Sequence, residues 1–157
     1  MVTKRKTPAK RSAGAGRKPM RFEDLTVKDI VNQRVQSARL DLTGMKVASL
    51  LLKAGGAVPV IDKSKQLLGV VSEHDVLLAL EEGDAWGART VRDLMSANPY
   101  SVRPETSLPT LVHVLTESDL LSVPVVNDKN RFLGMVTRRD VVRAALRPAA
   151  KRRSTAR

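Results

Sequence analysis

Two tetrapeptides in this chain combine residue types that can handle a phosphorylated ligand: Ser72-Glu73-His74-Asp75 and Thr137-Arg138-Arg139-Asp140. Each sits where an apolar run gives way to a helical pattern, so its hydroxyl falls at a helix start. The first four N–H groups of a helix lack internal partners and the dipole there is positive, which favours an anion. A hydroxyl at that point can donate to a phosphate oxygen, and a carboxylate one turn later can accept from two ribose hydroxyls. The same spacing is also a capping box, in which the hydroxyl and the acid satisfy each other's backbone N–H groups. Spacing alone permits both readings, and the two are compatible.

Other chemistry is poorly represented. The chain has no Cys, which excludes disulfides, thiolate nucleophiles and thiolate metal sites, and it has only two His. Neither His falls in a cluster with metal-ligand spacing or in a Ser-His-Asp arrangement. His113 lies in an amphipathic pattern and is expected to be a partly buried helix residue. Gly14-Ala15-Gly16-Arg17-Lys18 lacks the preceding strand and the closing Lys-Ser or Lys-Thr of a phosphate loop, and reads as linker. No paired acid and base is in view, so the chain is expected not to be an enzyme and to need no catalytic cofactor or metal.

The elements that must position these groups occur twice. Val58-Pro59-Val60, Leu68-Gly69, Val71 and Asp75-Val76 recur 65 residues later as Val123-Pro124-Val125, Leu133-Gly134, Val136 and Asp140-Val141, and nine of the 23 positions from Val58 to Leu80 are identical to their counterparts. Upstream the offset is 64, pairing Val27-Lys28-Asp29-Ile30 with Val91-Arg92-Asp93-Leu94 and Ser37-Ala38-Arg39 with Ser101-Val102-Arg103. One residue is therefore gained or lost beside Gly55-Gly56 and Leu120-Leu121. In each copy an acid-capped helical turn leads to an extended segment at Ser37 or Ser101. Next comes an amphipathic helix with Val47, Leu50, Leu51 and Ala54, or Leu111, Val114, Leu115 and Ser118, on one face, and with Thr43 or Ser107 as N-cap. Strands follow at Ala57 to Ile61 and Leu67 to Val71, or Ser122 to Val126 and Phe132 to Val136, each pair joined by a polar hairpin loop. Helices Glu73 to Glu82 and Arg138 to Leu146 close the units. The expected fold is α+β, two β-α-β-β-α repeats (22–86 and 87–146) packed as one pseudo-two-fold module, because one such unit exposes too much surface to be comfortable alone. Trp86, between the repeats, is expected to anchor the linker on the module.

The run Val-Pro-Val, a short polar loop, Leu-Gly-x-Val-(Ser/Thr)-x-x-Asp-Val, preceded in the second copy by Asp93-Leu94-Met95-Ser96 and Asn98-Pro99-Tyr100-Ser101, resembles the cystathionine β-synthase (CBS) domain. The likeness covers Leu25 to Leu146, with Leu40 departing from the Pro104 of the second copy and Gly44 at a helix start. It implies a tandem CBS pair, a Bateman module, whose Asp and hydroxyl hold the ribose and phosphate of an adenosyl ligand. AMP, ADP, ATP or S-adenosylmethionine would then be a regulatory ligand. The implied second site comprises Ser101, Val102, Ser122, Val123, Pro124, Thr137, Arg138, Arg139 and Asp140; the first comprises Ser37, Ala38, Ala57, Val58, Pro59, Ser72, His74 and Asp75. The second is favoured for phosphate, because two arginines carry permanent charge beside its helix where the first has Glu73 and His74. The resemblance also implies a homodimer, and a protein partner that reads the ligand-dependent change.

The net charge of +12 resides at the ends. Residues 1–21 hold eight basic residues and 147–157 hold five, with no acid in either, which leaves 15 basic against all 16 acidic residues between them. Both segments are expected to be disordered basic tails. The alternative function is therefore sequence-blind binding of nucleic acid or an acidic surface through the tails, with the repeats as a dimeric scaffold; without aromatic residues in the tails, base stacking is not expected. No stretch reads as a secretory signal or a membrane span, and the expectation is a cytoplasmic protein with no membrane contact.

Overall fold

Residues 20–147 are described by the computed structural model; the predicted basic tails lie almost wholly outside them. Helices α1 (Gly44–Leu51), α2 (Glu73–Glu81), α3 (Val91–Leu94), α4 (Leu108–Glu117) and α5 (Arg138–Ala145) alternate with strands β1 (Ala57–Ile61), β2 (Leu67–Ser72), β3 (Ser96–Ala97), β4 (Ser122–Val126) and β5 (Phe132–Thr137). Short 3-10 turns cover Phe22–Asp24, Val27–Asp29 and Asp84–Ala88. The hairpins β1-β2 and β4-β5 pair in the same register, Val58 opposite Val71 and Val123 opposite Val136. All four of these valines are fully buried, so the alternation of each strand sends one apolar row inward.

The leading β-strand expected in each repeat is reduced to a single parallel bridge, Ala38 with Val60 and Val102 with Val125. Ala38 N–H donates to the Pro59 carbonyl (2.8 Å) and the Ala38 carbonyl accepts from Ile61 N–H (3.1 Å); Val102 does the same with Pro124 and Val126 (both 3.0 Å). Proline carries no N–H, so at Pro59 and Pro124 the incoming segment binds a carbonyl.

Each opening turn packs on the other repeat. Val27 is buried in a core with Leu108, Leu111, Leu115, Val123, Val125 and Val136 of the second repeat, while Val91 and Leu94 complete the core of Val47, Leu51, Val58, Val60 and Val71 in the first. Backbone bonds fix the exchange: Val27 N–H donates to Thr106 O (2.8 Å) and Leu108 N–H to Leu25 O (2.9 Å), mirrored by Val91 N–H to Leu42 O and Gly44 N–H to Arg89 O (both 2.7 Å). Burying each of these valines is worth about 1.5–3 kcal/mol, so neither repeat is complete without the other.

The two Leu-Gly pairs admit this crossing. A Cβ on Gly134 would stand 2.5 Å from the Asn32 carbonyl oxygen, and one on Gly69 would stand 2.7 Å from that of Ser96. Asn32 exchanges backbone bonds with Met135 (2.9 and 3.0 Å), and β3 pairs with β2 through Gly69 and Val70. Gly44, which departs from the second repeat, has a similar cause: a Cβ there would meet the Trp86 carbonyl at 2.5 Å. Trp86 packs against the first core, as its place between the repeats suggested. His113 differs from expectation: it is exposed, on the α4 face opposite buried Leu111 and Leu115.

Candidate functional site

The helix starts at Ser72 and Thr137 are built as capping boxes. Thr137 N–H and Oγ1–H donate to Asp140 Oδ2 at 2.9 and 2.8 Å, and Asp140 N–H donates back to Thr137 Oγ1 at 3.1 Å. Ser72 repeats this with Asp75 at 2.7, 2.7 and 3.3 Å. One carboxylate oxygen of each Asp is thus committed to its helix. The other, Oδ1, accepts from Arg143 Nη1 at Asp140 (3.1 Å) and from Ser96 Oγ at Asp75 (3.0 Å). Thr26-Asp29 and Thr90-Asp93 form the same box and line neither cleft described below, so the motif by itself marks a helix start. What distinguishes Ser72 and Thr137 is the cavity in front of them.

Thr137 and Asp140 open onto a cleft of about 390 Å³, within the range of small-molecule sites. Its other walls come from Asn32, Arg34, Val35 and Gln36 of the exchanged N-terminal segment, from Lys53 to Gly55 after α1, and from Ala57, Ser122 and Met135. Ser72 and Asp75 open onto a second cleft of about 620 Å³, walled by Asn98, Pro99 and Tyr100 of the opposite exchanged segment and by Asp119 to Ser122 after α4. Ala57 and Ser122 line both clefts, which therefore share a wall.

This arrangement regroups the residues that the sequence assigned. Thr137, Asp140 and Ser122 do line the favoured cleft, and Ser72, His74, Asp75 and Ala57 line the other. Ser101 and Val102 line neither; Val102 is buried in the second core, and it is the preceding Pro99 and Tyr100 that reach a cleft, the one at Asp75. Val123 is likewise core, and Pro124 faces the Asp75 cleft instead of its own repeat's. Ser37 lines neither cleft, and Ala38, Val58 and Pro59 are buried in the first repeat. The physical reason is the exchange: each cleft takes its helix start from one repeat and its facing wall from the other.

The arginines need the largest correction. Arg138 is turned away from the cleft onto the end of α4, donating from Nε to Leu120 O (2.6 Å) and from Nη2 to Leu115 O (3.2 Å) and Asp119 Oδ1 (2.8 Å). Leu115 belongs to the last turn of α4, a favourable helix end for a cation, and Leu120 to the turn that follows. Arg139 is exposed and lines neither cleft. The cations at the Asp140 cleft are Arg34 and Lys53, both from the first repeat. No sequence signal singled them out, because a reading repeat by repeat seeks the charge beside its own helix. Among the described residues no group of His, Asp and Glu could hold a metal ion, and no helix is long and apolar enough to cross a membrane.

A family model described as the CBS domain matches the chain over residues 27–82 and 91–147. L-aspartate semialdehyde sulfurtransferase of Methanocaldococcus jannaschii is 27% identical over 130 residues, covering 82% of this chain and 25% of that protein. The chloroplastic CBS domain-containing protein CBSX2 of Arabidopsis thaliana is 32% identical over 125 residues, 62% of this chain and 52% of that protein. The chain thus spans from a quarter to about half the length of these relatives. The crystal structure of CBSX2 in complex with AMP superposes with a TM-score of 0.69 at 31% identity, covering 77% of this chain and 96% of that one. The CBS pair of protein MJ0100, in complex with 5′-methylthioadenosine and S-adenosyl-L-methionine, gives 0.66 at 26% identity, covering 76% and 94%.

Proposed function

The chain belongs to the CBS domain family, and from that premise we propose that it is a non-catalytic regulatory module that binds an adenine nucleotide in the Asp140 cleft and responds through its packing. The observation that carries this reading is the meeting of the Thr137-Asp140 helix start with Arg34 and Lys53 across one cleft. A phosphate placed there meets the positive end of the α5 dipole and two cations. The ribose hydroxyls can replace Arg143 on Asp140 Oδ1. AMP in CBSX2 supports the ligand class. Relatives with bound adenosyl ligands favour this reading over nucleic-acid binding through the tails.

Calorimetric titration with AMP tests it. Asp140→Ala is expected to weaken AMP binding at least tenfold and Asp75→Ala to change it less than twofold; absence of any response to AMP, ADP, ATP or S-adenosylmethionine at millimolar concentration would overturn the proposal. Homodimerisation and a responding protein partner belong to the same reading. Leu77, Leu78 and Leu80 on α2 and Met45 and Leu52 at α1 are exposed, which supports an apolar helical interface. Sedimentation should give twice the mass of the 17.2 kDa chain, and Leu77→Glu should reduce that mass. A cytoplasmic location is proposed with it and is read by fractionation.

A further inference from the structure

The exchanged segment that walls the Asp140 cleft at Arg34 to Gln36 runs on to a further cavity, of about 410 Å³, at Arg39 to Asp41. Facing it are the hairpin residues Ile61 to Lys63, and Thr90 and Arg92 from the opening turn of the second repeat. Arg92 N–H donates to Leu40 O at 3.1 Å and holds two of these sides together. The cavity shares no lining residue with either cleft.

The two repeats differ on this face. In the second, Arg103 Nη1 is paired with Asp128 Oδ1 at 3.2 Å. The position of Asp128 is Lys63 in the first repeat, so Arg39 loses that partner and gains a like charge. Arg39, Lys63 and Arg92 are exposed, and none of their side chains has a hydrogen-bond or ion-pair partner among the described residues. Two carboxylates also line the cavity, which leaves one positive charge in excess. One of them, Asp62, already accepts from Ser64 N–H (2.8 Å) and Gln66 N–H (2.9 Å) within the hairpin turn. The floor differs too: Val126 is 2% exposed, whereas its counterpart Ile61 is half-buried, and Leu40 stands in place of Pro104. An apolar floor inside a charged rim is the pattern of a protein interface.

We propose that this cavity is the docking surface for an acidic segment of a partner protein, with an aliphatic side chain on Leu40 and Ile61 and carboxylates on Arg39, Lys63 and Arg92. This rests on the reading of the chain as a regulatory module, and it names the chemistry of the partner that responds to it. A polypeptide segment is favoured over a small anion because it covers floor and rim together, and excluding water there strengthens the ion pairs. Residues 34–41 form one stretch of backbone from the nucleotide cleft to this surface, so a ligand that draws on Arg34 acts along it on Arg39.

The test titrates the isotope-labelled full chain with a hexapeptide of alternating Glu and Leu and follows amide shifts by NMR. The amides of 39–41, 61–63 and 92 are expected to shift together, and high salt to weaken binding at least threefold. Lys63→Asp, which reinstates the pairing of the second repeat, should weaken the peptide at least fivefold and leave AMP binding within twofold. Arg92→Gln should weaken the peptide at least twofold, and Arg103→Gln, on the matching face, should leave it within twofold. Saturating AMP should change the Kd of the peptide at least twofold. The proposal is overturned if the peptide leaves those amides unmoved at millimolar concentration, or if Lys63→Asp and Arg103→Gln weaken it equally. Shifts there with inorganic pyrophosphate and none with the peptide would make this a small-anion site and overturn it as well. An unchanged Kd with AMP bound would overturn its role as the readout of the nucleotide cleft. Failure of AMP alone to bind overturns the nucleotide reading, and the peptide titrations still decide this surface. The unshifted remainder of each variant's spectrum separates loss of a contact from loss of fold.

Discussion

Single residues at matching positions do different work in the two repeats. Six residues lie between Leu115 and Ser122 where five lie between the matching Leu51 and Ala57, and α4 takes up two of the six by running on to Glu117. The turn after α4 passes through Asp119 with φ of 48°, a left-handed conformation that Asp tolerates, and there its carboxylate meets Arg138. The offset change seen in the sequence thus creates the anchor that removes Arg138 from the cleft. Gly134 shows the opposite case, a residue whose role is to be absent. Gly134→Ala puts a methyl 2.5 Å from a backbone oxygen and 2.7 Å from Val31 Cγ2, and neither backbone can yield cheaply. It is expected to destabilise the protein by about 1–3 kcal/mol, measured by urea denaturation. Gly69→Ala should cost less, because one of its two 2.7 Å neighbours is the flexible Met95 side chain.

At the scale of elements, the helix starts connect stability to binding. Ser72 and Thr137 each accept a bond from the third residue of their helix while donating to its carboxylate. Ser72→Ala and Thr137→Ala should each cost about 0.5–2 kcal/mol by thermal denaturation. Thr137→Ala should also weaken AMP, whereas Ser72→Ala should not. Equal effects of both on AMP would contradict the assignment of nucleotide to the Asp140 cleft. The hairpins were legible as short, continuous apolar runs bounded by polar turns, and Asp62 and Asn127 accept from backbone N–H groups in those turns (2.8–3.0 Å). The leading strand was not legible as a lone bridge. Each copy sets one apolar residue, Ala38 or Val102, between a Ser and an Arg, and only the packed sheet decides how many of these residues reach a partner.

At the scale of the molecule, the exchanged opening turns bind the repeats into one unit. A boundary near residue 87 divides the repeats in sequence but cuts through both cores in space. Val27→Ala should raise amide exchange in α4 and the β4-β5 hairpin of the second repeat, and Val91→Ala should raise it in α1 and β1-β2 of the first. Exchange rising instead in the repeat that contains the altered residue would refute the exchange of turns. The same crossing makes the clefts composite. A ligand in either one touches both repeats, which gives binding a route to the packing between them.

The sequence by itself determined the repeat, the order of its elements, the helix starts and the hairpins, because periodicity, caps and turns are set by neighbours a few residues away. It also identified Ser72, Asp75, Thr137 and Asp140 as the pair of helix starts where a ligand could sit. The tertiary structure alone decided which wall faces which helix, and with it that Arg34 and Lys53, not Arg138 and Arg139, line the cleft at Asp140. The reason is the repeat itself. Val27 and Val91 stand in near-identical local patterns, so either could fill either core, and a pattern satisfied equally by both pairings carries no record of which one the chain adopts. Only the path of the backbone past Gly69 and Gly134 resolves it.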